Sequence, residues 1–191
     1  MADIRDQKLL YHITSLENVA SILDNGLLPR VELEDFDDVA DHEILDGRQA
    51  YNLERYVPFH FFARNPFDGA VQTDNPDTDF VLVAVRRTLA QARNWSIIPR
   101  HPLANQGVEV LDYEEGFNRI NWQAMNRRDY NDDESKSVCM AECLSPNVVA
   151  VNDFFKIFVP NEQVKKNVEM LLRDKRIALD VKVNQGMFLN R

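Results

Sequence analysis

The chain has 191 residues, 45% hydrophobic and 28% charged, which suits one globular domain over residues 1–191 with a substantial core. No apolar run approaches the roughly 18 residues of a membrane span, and Met1-Ala2-Asp3-Ile4-Arg5-Asp6 has no apolar core of a secretory signal, so a cytoplasmic location is the default expectation. A net charge of −9 argues against simple electrostatic binding of nucleic acid, although residues 85–130 set seven arginines against five acids and leave room for a local basic face.

Lys8 to His12 predicts a first strand. Thr14-Ser15-Leu16-Glu17 then matches a capping box, with Thr14 as cap and Glu17 reaching back. Val19, Ile22 and Leu23 form one helical face, and Gly26 is placed to stop the helix. Residues 31–46 carry eight carboxylates and no Lys or Arg, without a clean period, and read as a loop or a loop with one short helix. Tyr56 to Phe62 is β-prone, with Pro58 suggesting a sheet edge or a strand start. Residues 65–78 are turn-rich and expected to be exposed.

Phe80 to Val85 is a continuous apolar run and reads as a buried central strand. Thr88 to Arg93 suggests a short helix, and 112–137 is polar with Phe117, Ile120 and Trp122 interspersed. Val138–Leu144 and Val148–Val159 each read as strands. Asn161 caps a helix through Arg176 whose apolar face is Val164, Val168, Leu171 and Leu172, with Glu162/Lys166 and Glu169/Arg173 as supporting pairs. Ala178 to Val183 reads as a last strand. The order is mixed, not a regular β-α-β alternation, and points to an α+β fold.

Six glycines form neither G-x-G-x-x-G nor a Walker loop, which excludes nucleotide binding of those kinds. The two cysteines, Cys139 and Cys143, would stand about 13 Å apart on one strand, too far for a disulfide. They read as free buried thiols, and no His or Cys spacing suggests a metal site. Three features remain. His12 with Thr14 and Ser15 sits at a strand-to-helix junction, either as a satisfied structural histidine or as a contact to a ligand's ribose and amide. Arg48, Arg55 and Arg64 flank the Tyr56–Phe62 strand, where an arginine fork can hold a pyrophosphate or simply face solvent. Glu142 is a lone carboxylate in an otherwise apolar strand, so it is exposed at an edge, paired, or functional.

Tyr11-His12-Ile13-Thr14 followed by Ile22-Leu23-Asp24-Asn25-Gly26-Leu27 resembles the opening of several ADP-ribosyltransferase families, among them DarT and the RNA 2′-phosphotransferases. Tyr56-Val57-Pro58-Phe59 running to Arg64-Asn65-Pro66 resembles a more specific DarT segment. Asn121-Trp122, a polar loop, then Ala141-Glu142-Cys143-Leu144 resembles the DarT end that carries the catalytic glutamate. The chain therefore resembles the DarT-like ADP-ribosyltransferase toxins over about residues 9–172. The resemblance implies an ADP-ribosyltransferase-like split mixed β-sheet with flanking helices and a central cleft for NAD, which is consumed as a substrate. It implies Glu142 and Arg48 as catalytic, Arg48 before Arg55 as the matching arginine. It implies His12, Thr14, Tyr56 and Phe61 as NAD contacts. Residues 119–137 would select the acceptor, with Trp122, Arg127 and Arg128 binding it. That acceptor would be a nucleobase in single-stranded nucleic acid, DNA before RNA, in a toxin opposed by an antitoxin protein. An RNA or protein acceptor, or a catalytically degenerate binding module on the same fold, are the alternatives. Cys143, Ser145-Pro146 and Asn65 depart from the family pattern and bear on the acceptor more than on NAD.

Overall fold

A computed structural model describes residues 3–33, 48–102 and 107–189. The acidic 31–46 loop expected from sequence lies almost wholly outside them.

Seven strands form one mixed sheet: β1 (Leu9–Ser15), β2 (Val57–His60), β3 (Phe80–Arg86), β4 (Ser96–Ile98), β5 (Glu142–Ser145), β6 (Phe154–Val159) and β7 (Val181–Val183), in the order β4-β5-β2-β1-β3-β6-β7. Among the described residues only β6 and β7 pair in parallel. The apolar run of β3 is central, as its composition requires: it pairs with β1 along seven residues and with β6 on its other side. Alternation then divides its side chains. Val83 and Val85 join Leu10, Phe59 and Phe61 in one core, while Val81 extends that face toward α1 (Val19–Asn25) and α7 (Glu162–Asp174). Phe80, Leu82 and Ala84 face the other way, onto Ile13, Phe158, Phe188 and Val71 of α2 (Pro66–Asp74).

Between β1 and β2 the ladder nearly stops. The paired residues there are Tyr11 and His60 alone. Pro58 sits inside the sheet and not at its edge; of the two placements its missing N–H suggested, the strand start is the one found, since it is the second residue of β2. An extended residue points its N and O to the same side. The Pro58 carbonyl faces β1, where the His12 side chain takes it at 2.8 Å, so the absent N–H also falls where the ladder has opened. The sheet is split along this seam, and the split is the cleft.

The first junction differs in detail from a capping box. Ser15, not Thr14, caps the turn, its Oγ accepting from the Glu17 N–H at 3.2 Å, while Thr14 Oγ1 accepts from Asn18 at 3.2 Å. Gly26 ends α1 at φ +80°, where a side chain's Cβ would lie 2.6 Å from the Val149 carbonyl oxygen.

Three expected elements are corrected. Residues 65–78 are not an exposed turn region. Asn65 accepts the Asp68 N–H at 2.9 Å and starts α2 with Pro66 in its first turn. Val138–Leu144 is not one strand. Asp132 caps α6 (Asp133–Cys139), and β5 begins only at Glu142. The cysteines are thus on different elements, and both are free and buried. Val148–Val159 is a bridge from Val149 to Leu27 and a short 3₁₀ turn before β6. After β3 the expected short helix forms as α3 (Arg87–Ala92), and the polar stretch before α6 folds as α4 (Tyr113–Arg119) and α5 (Trp122–Arg127). On α7, capped by Asn161, the i,i+4 ion pair is Lys165–Glu169 at 3.7 Å. Among the described residues no helix is long and apolar enough to cross a membrane.

Candidate active site

Alternation on three strands builds the cleft. His12 and Thr14 lie two apart on β1, Pro58 and His60 two apart on β2 with Tyr56 just before them, and Glu142 heads β5; all line one pocket. Register sets Glu142 directly opposite His60 on one side and Ile98 on the other. The rest of the wall includes Asn18, Ser21, Arg30, Phe67 and His101, none of which was singled out from sequence.

Glu142 is buried and paired. One Arg48 nitrogen, Nη1, donates to both carboxylate oxygens, at 2.6 and 2.8 Å. The pair is largely withdrawn from solvent, with 13% and 7% of the two side chains exposed. Nη2 of Arg48 is also buried and, among the described residues, has no hydrogen-bond partner. An unsatisfied buried donor costs about 1–3 kcal/mol, so the cleft holds a cationic donor suited to an oxygen-rich ligand. Arg48, and neither Arg55 nor Arg64, is the arginine brought to Glu142; the other two are exposed outside this cleft.

The histidines are neutral ligand-facing groups. A carbonyl only accepts, so His12 donates from Nδ1 to Pro58, which leaves Nε2 as an acceptor. Burial is the main cause that pushes His12 down to about 4, against the raising effect of that bond. His60 Nδ1 donates to the Ala141 carbonyl at 3.2 Å. Burial lowers its pKa too, with Glu142 pulling the other way, and His101 follows the same pattern.

Four expected contact residues, Phe61, Trp122, Arg127 and Arg128, do not line the cleft. Phe61 is 1% exposed and points to the opposite face from Tyr56, Pro58 and His60, where it packs edge-on to Trp122. Trp122 is 9% exposed, and its Nε1 donates to the Phe117 carbonyl at 2.9 Å, which places it in the core and not on a base. Strand period alone separates His60 from Phe61 and was the signal available in sequence. Arg127 lies outside the cleft and pairs with Asp132 at 3.3 Å. Arg128 ends α5 in the left-handed conformation, over the Phe62 ring. Nor do the seven arginines make one basic face. Arg87 is buried and donates to the carbonyls of Ile4, Arg5, Leu9 and Phe61, and Arg93 pairs with Asp153.

Residues 11–189 match the family model described as "ssDNA thymidine ADP-ribosyltransferase, DarT". The chain belongs to the DarT family. A DNA ADP-ribosyl transferase–DNA ADP-ribosyl glycohydrolase fusion protein of Thermosipho africanus is 29% identical over 184 residues, covering 89% of this chain and 47% of the relative. The chain thus spans about half the length of that relative. Thermus sp. 2.9 DarT in complex with ADP-ribosylated ssDNA superposes with a TM-score of 0.83 at 18% identity, over 95% of this chain and 96% of that one. Thermosipho africanus DarTG in complex with ADP-ribose gives 0.75 at 26% identity, over 95% and 51%. The split mixed sheet expected from the resemblance is the DarT fold. Within it, the Glu142–Arg48 pair holds the centre of the cleft.

Proposed function

We propose that this DarT chain transfers ADP-ribose from NAD to thymidine in single-stranded DNA, with Glu142 as the catalytic carboxylate. The observation that carries the reading is Glu142 buried in the cleft, fixed by Arg48 and opposite His60. NAD fits these groups as a substrate. His12, Thr14 and Tyr56 stand on one wall to hold it, and the unpartnered Arg48 Nη2 offers a donor to its oxygens. Cleavage of the bond from ribose C1′ to nicotinamide sends the bonding pair to the pyridine nitrogen and leaves positive charge on the sugar. A fixed carboxylate stabilises that charge. Thymidine has one ring N–H, at N3. The N3 nitrogen forms the new bond to C1′ as its proton passes to Glu142 acting as general base. A base must be unstacked to reach a cleft, which favours single strands. The degenerate-module alternative is disfavoured by the intact carboxylate–arginine pair.

The Thermosipho relative joins a DNA ADP-ribosyl transferase to a DNA ADP-ribosyl glycohydrolase. We extend the proposal to a glycohydrolase antitoxin as the partner of this chain. The experiment is incubation with NAD and separate pools of single-stranded DNA, RNA and protein, read by mass spectrometry. Adduct on thymidine is expected, and adduct confined to RNA or protein would refute the acceptor. Glu142→Gln should lower transfer by about 10²–10³ while NAD affinity changes little. A folded Glu142→Gln protein with full activity would remove Glu142 from the chemistry.

A further inference from the structure

Outside the cleft, a second recess is lined by Ala63, Arg64, Arg128, Tyr130, Gly186 and Met187. Among the described residues neither of its arginines is ion-paired, whereas Arg93, Arg119 and Arg127 all face carboxylates. On a chain of net charge −9, two unpaired guanidiniums in one recess are a local reversal of sign. Both residues also hold unusual backbone. Arg64 lies at φ +60° and Arg128 at φ +51°, a region that non-glycine residues enter at a cost on the order of 1 kcal/mol each.

That backbone is clamped. The Arg64 N–H donates to the Asp68 carboxylate at 3.0 Å, and its carbonyl accepts from the Tyr130 hydroxyl at 3.0 Å. The Arg128 guanidinium lies 4.7 Å from the Phe62 ring centroid, and the next residue's N–H donates to Ser135 Oγ at 3.1 Å. Strained conformations persist where the surroundings over-determine them, and here both clamped arginines line one recess. The Tyr130 ring, 39% exposed, stands beside them as a stacking surface.

The recess adjoins the cleft. Arg64 is four residues beyond His60, a reach of about 14 Å at most, and Phe67, in the helix that follows Arg64, lines the cleft with its ring 5.3 Å from that of His60. We propose that Arg64 and Arg128, with Tyr130, bind the phosphodiester and base of a nucleotide flanking the modified thymidine. This rests on the DNA reading above. Arginine forks match phosphate oxygens, and each phosphate contact to a single strand contributes about 0.7 to the slope of log affinity against log salt.

The test uses the intact chain and a fluorescent single-stranded oligonucleotide over a salt series. Asparagine tolerates left-handed backbone, so the variant is Arg64→Asn/Arg128→Asn, with its melting temperature measured alongside. DNA affinity should fall at least tenfold and the salt slope by about 1.4, with NAD affinity by calorimetry unchanged. Arg64→Lys/Arg128→Lys should keep the slope and recover part of the affinity. Unchanged DNA affinity and slope in the asparagine variant, or a comparable loss of NAD affinity, overturns the recess while leaving the acceptor reading intact. A wild-type chain that binds no single-stranded DNA overturns both.

Discussion

His12 holds its Nδ1 proton against Pro58 and presents Nε2 as an acceptor, an arrangement that exists only in the neutral ring. Its folded pKa, about 4, lies below the ordinary 6.5. Between those values the unfolded chain takes up a proton that the folded chain refuses. The contribution to stability is therefore complete above pH 6.5 and is lost as pH falls toward 4, at on the order of 1 kcal/mol per pH unit. Burial shifts His60 and His101 in the same direction and steepens the fall. His12→Gln removes one titrating group, so its unfolding free energy should drop less than wild type between pH 7 and pH 4.5. Equal drops would mean that His12 is not the group whose protonation is resisted.

Helix α2 shows the opposite sign. Asp68 sits in its first turn, 1% exposed, and burial raises its carboxyl to about 7 against hydrogen bonds from Asn65 and Arg64. The unfolded carboxyl ionises near 4 while the folded one keeps its proton, so stability falls as pH rises from about 4 to 7. Asp68→Asn should gain on wild type in unfolding free energy from pH 5 to pH 8. A difference that stays constant would show the folded carboxylate already ionised at pH 5. The same helix marks where local reading stops. Asn65-Pro66 reads as a turn or as a helix start with equal right, because a cap and a turn use the same side chains. Val138–Leu144 failed likewise. Six apolar residues in seven suit a buried strand or a buried helix end, and the Asp132 cap that decides between them lies six residues upstream. By contrast β3, α7 and the Gly26 stop were legible, since each carries its pattern within its own segment: a continuous apolar run, a helical period and a helix-ending glycine. Glu142 and Arg48 were legible as candidates, but that they meet was not, because 94 residues separate them.

For the whole molecule, the sheet order is fixed by pairings between distant segments, which no local pattern encodes. One core nonetheless joins the two halves: Leu10 and Val83 from one side of the split pack with Phe59 and Cys143 from the other. Above that shared floor the halves are linked by the Tyr11–His60 pair and the His12–Pro58 bond. The ladder of β1, β3 and β6 runs from strand to strand with one register shift at Ala84/Val85, and that of β2, β4 and β5 is continuous. In amide hydrogen exchange the two ladders should behave as separate cooperative units, with backbone along the seam exchanging ahead of both. Exchange at the seam as slow as in β3 would refute this. A dinucleotide lying across the seam touches both ladders at once, so its binding should slow exchange in β1 and β5 together. On the proposed function, the split that would admit NAD therefore also makes occupancy readable from the protein's own amides, in a variant such as Glu142→Gln where turnover is expected to be suppressed.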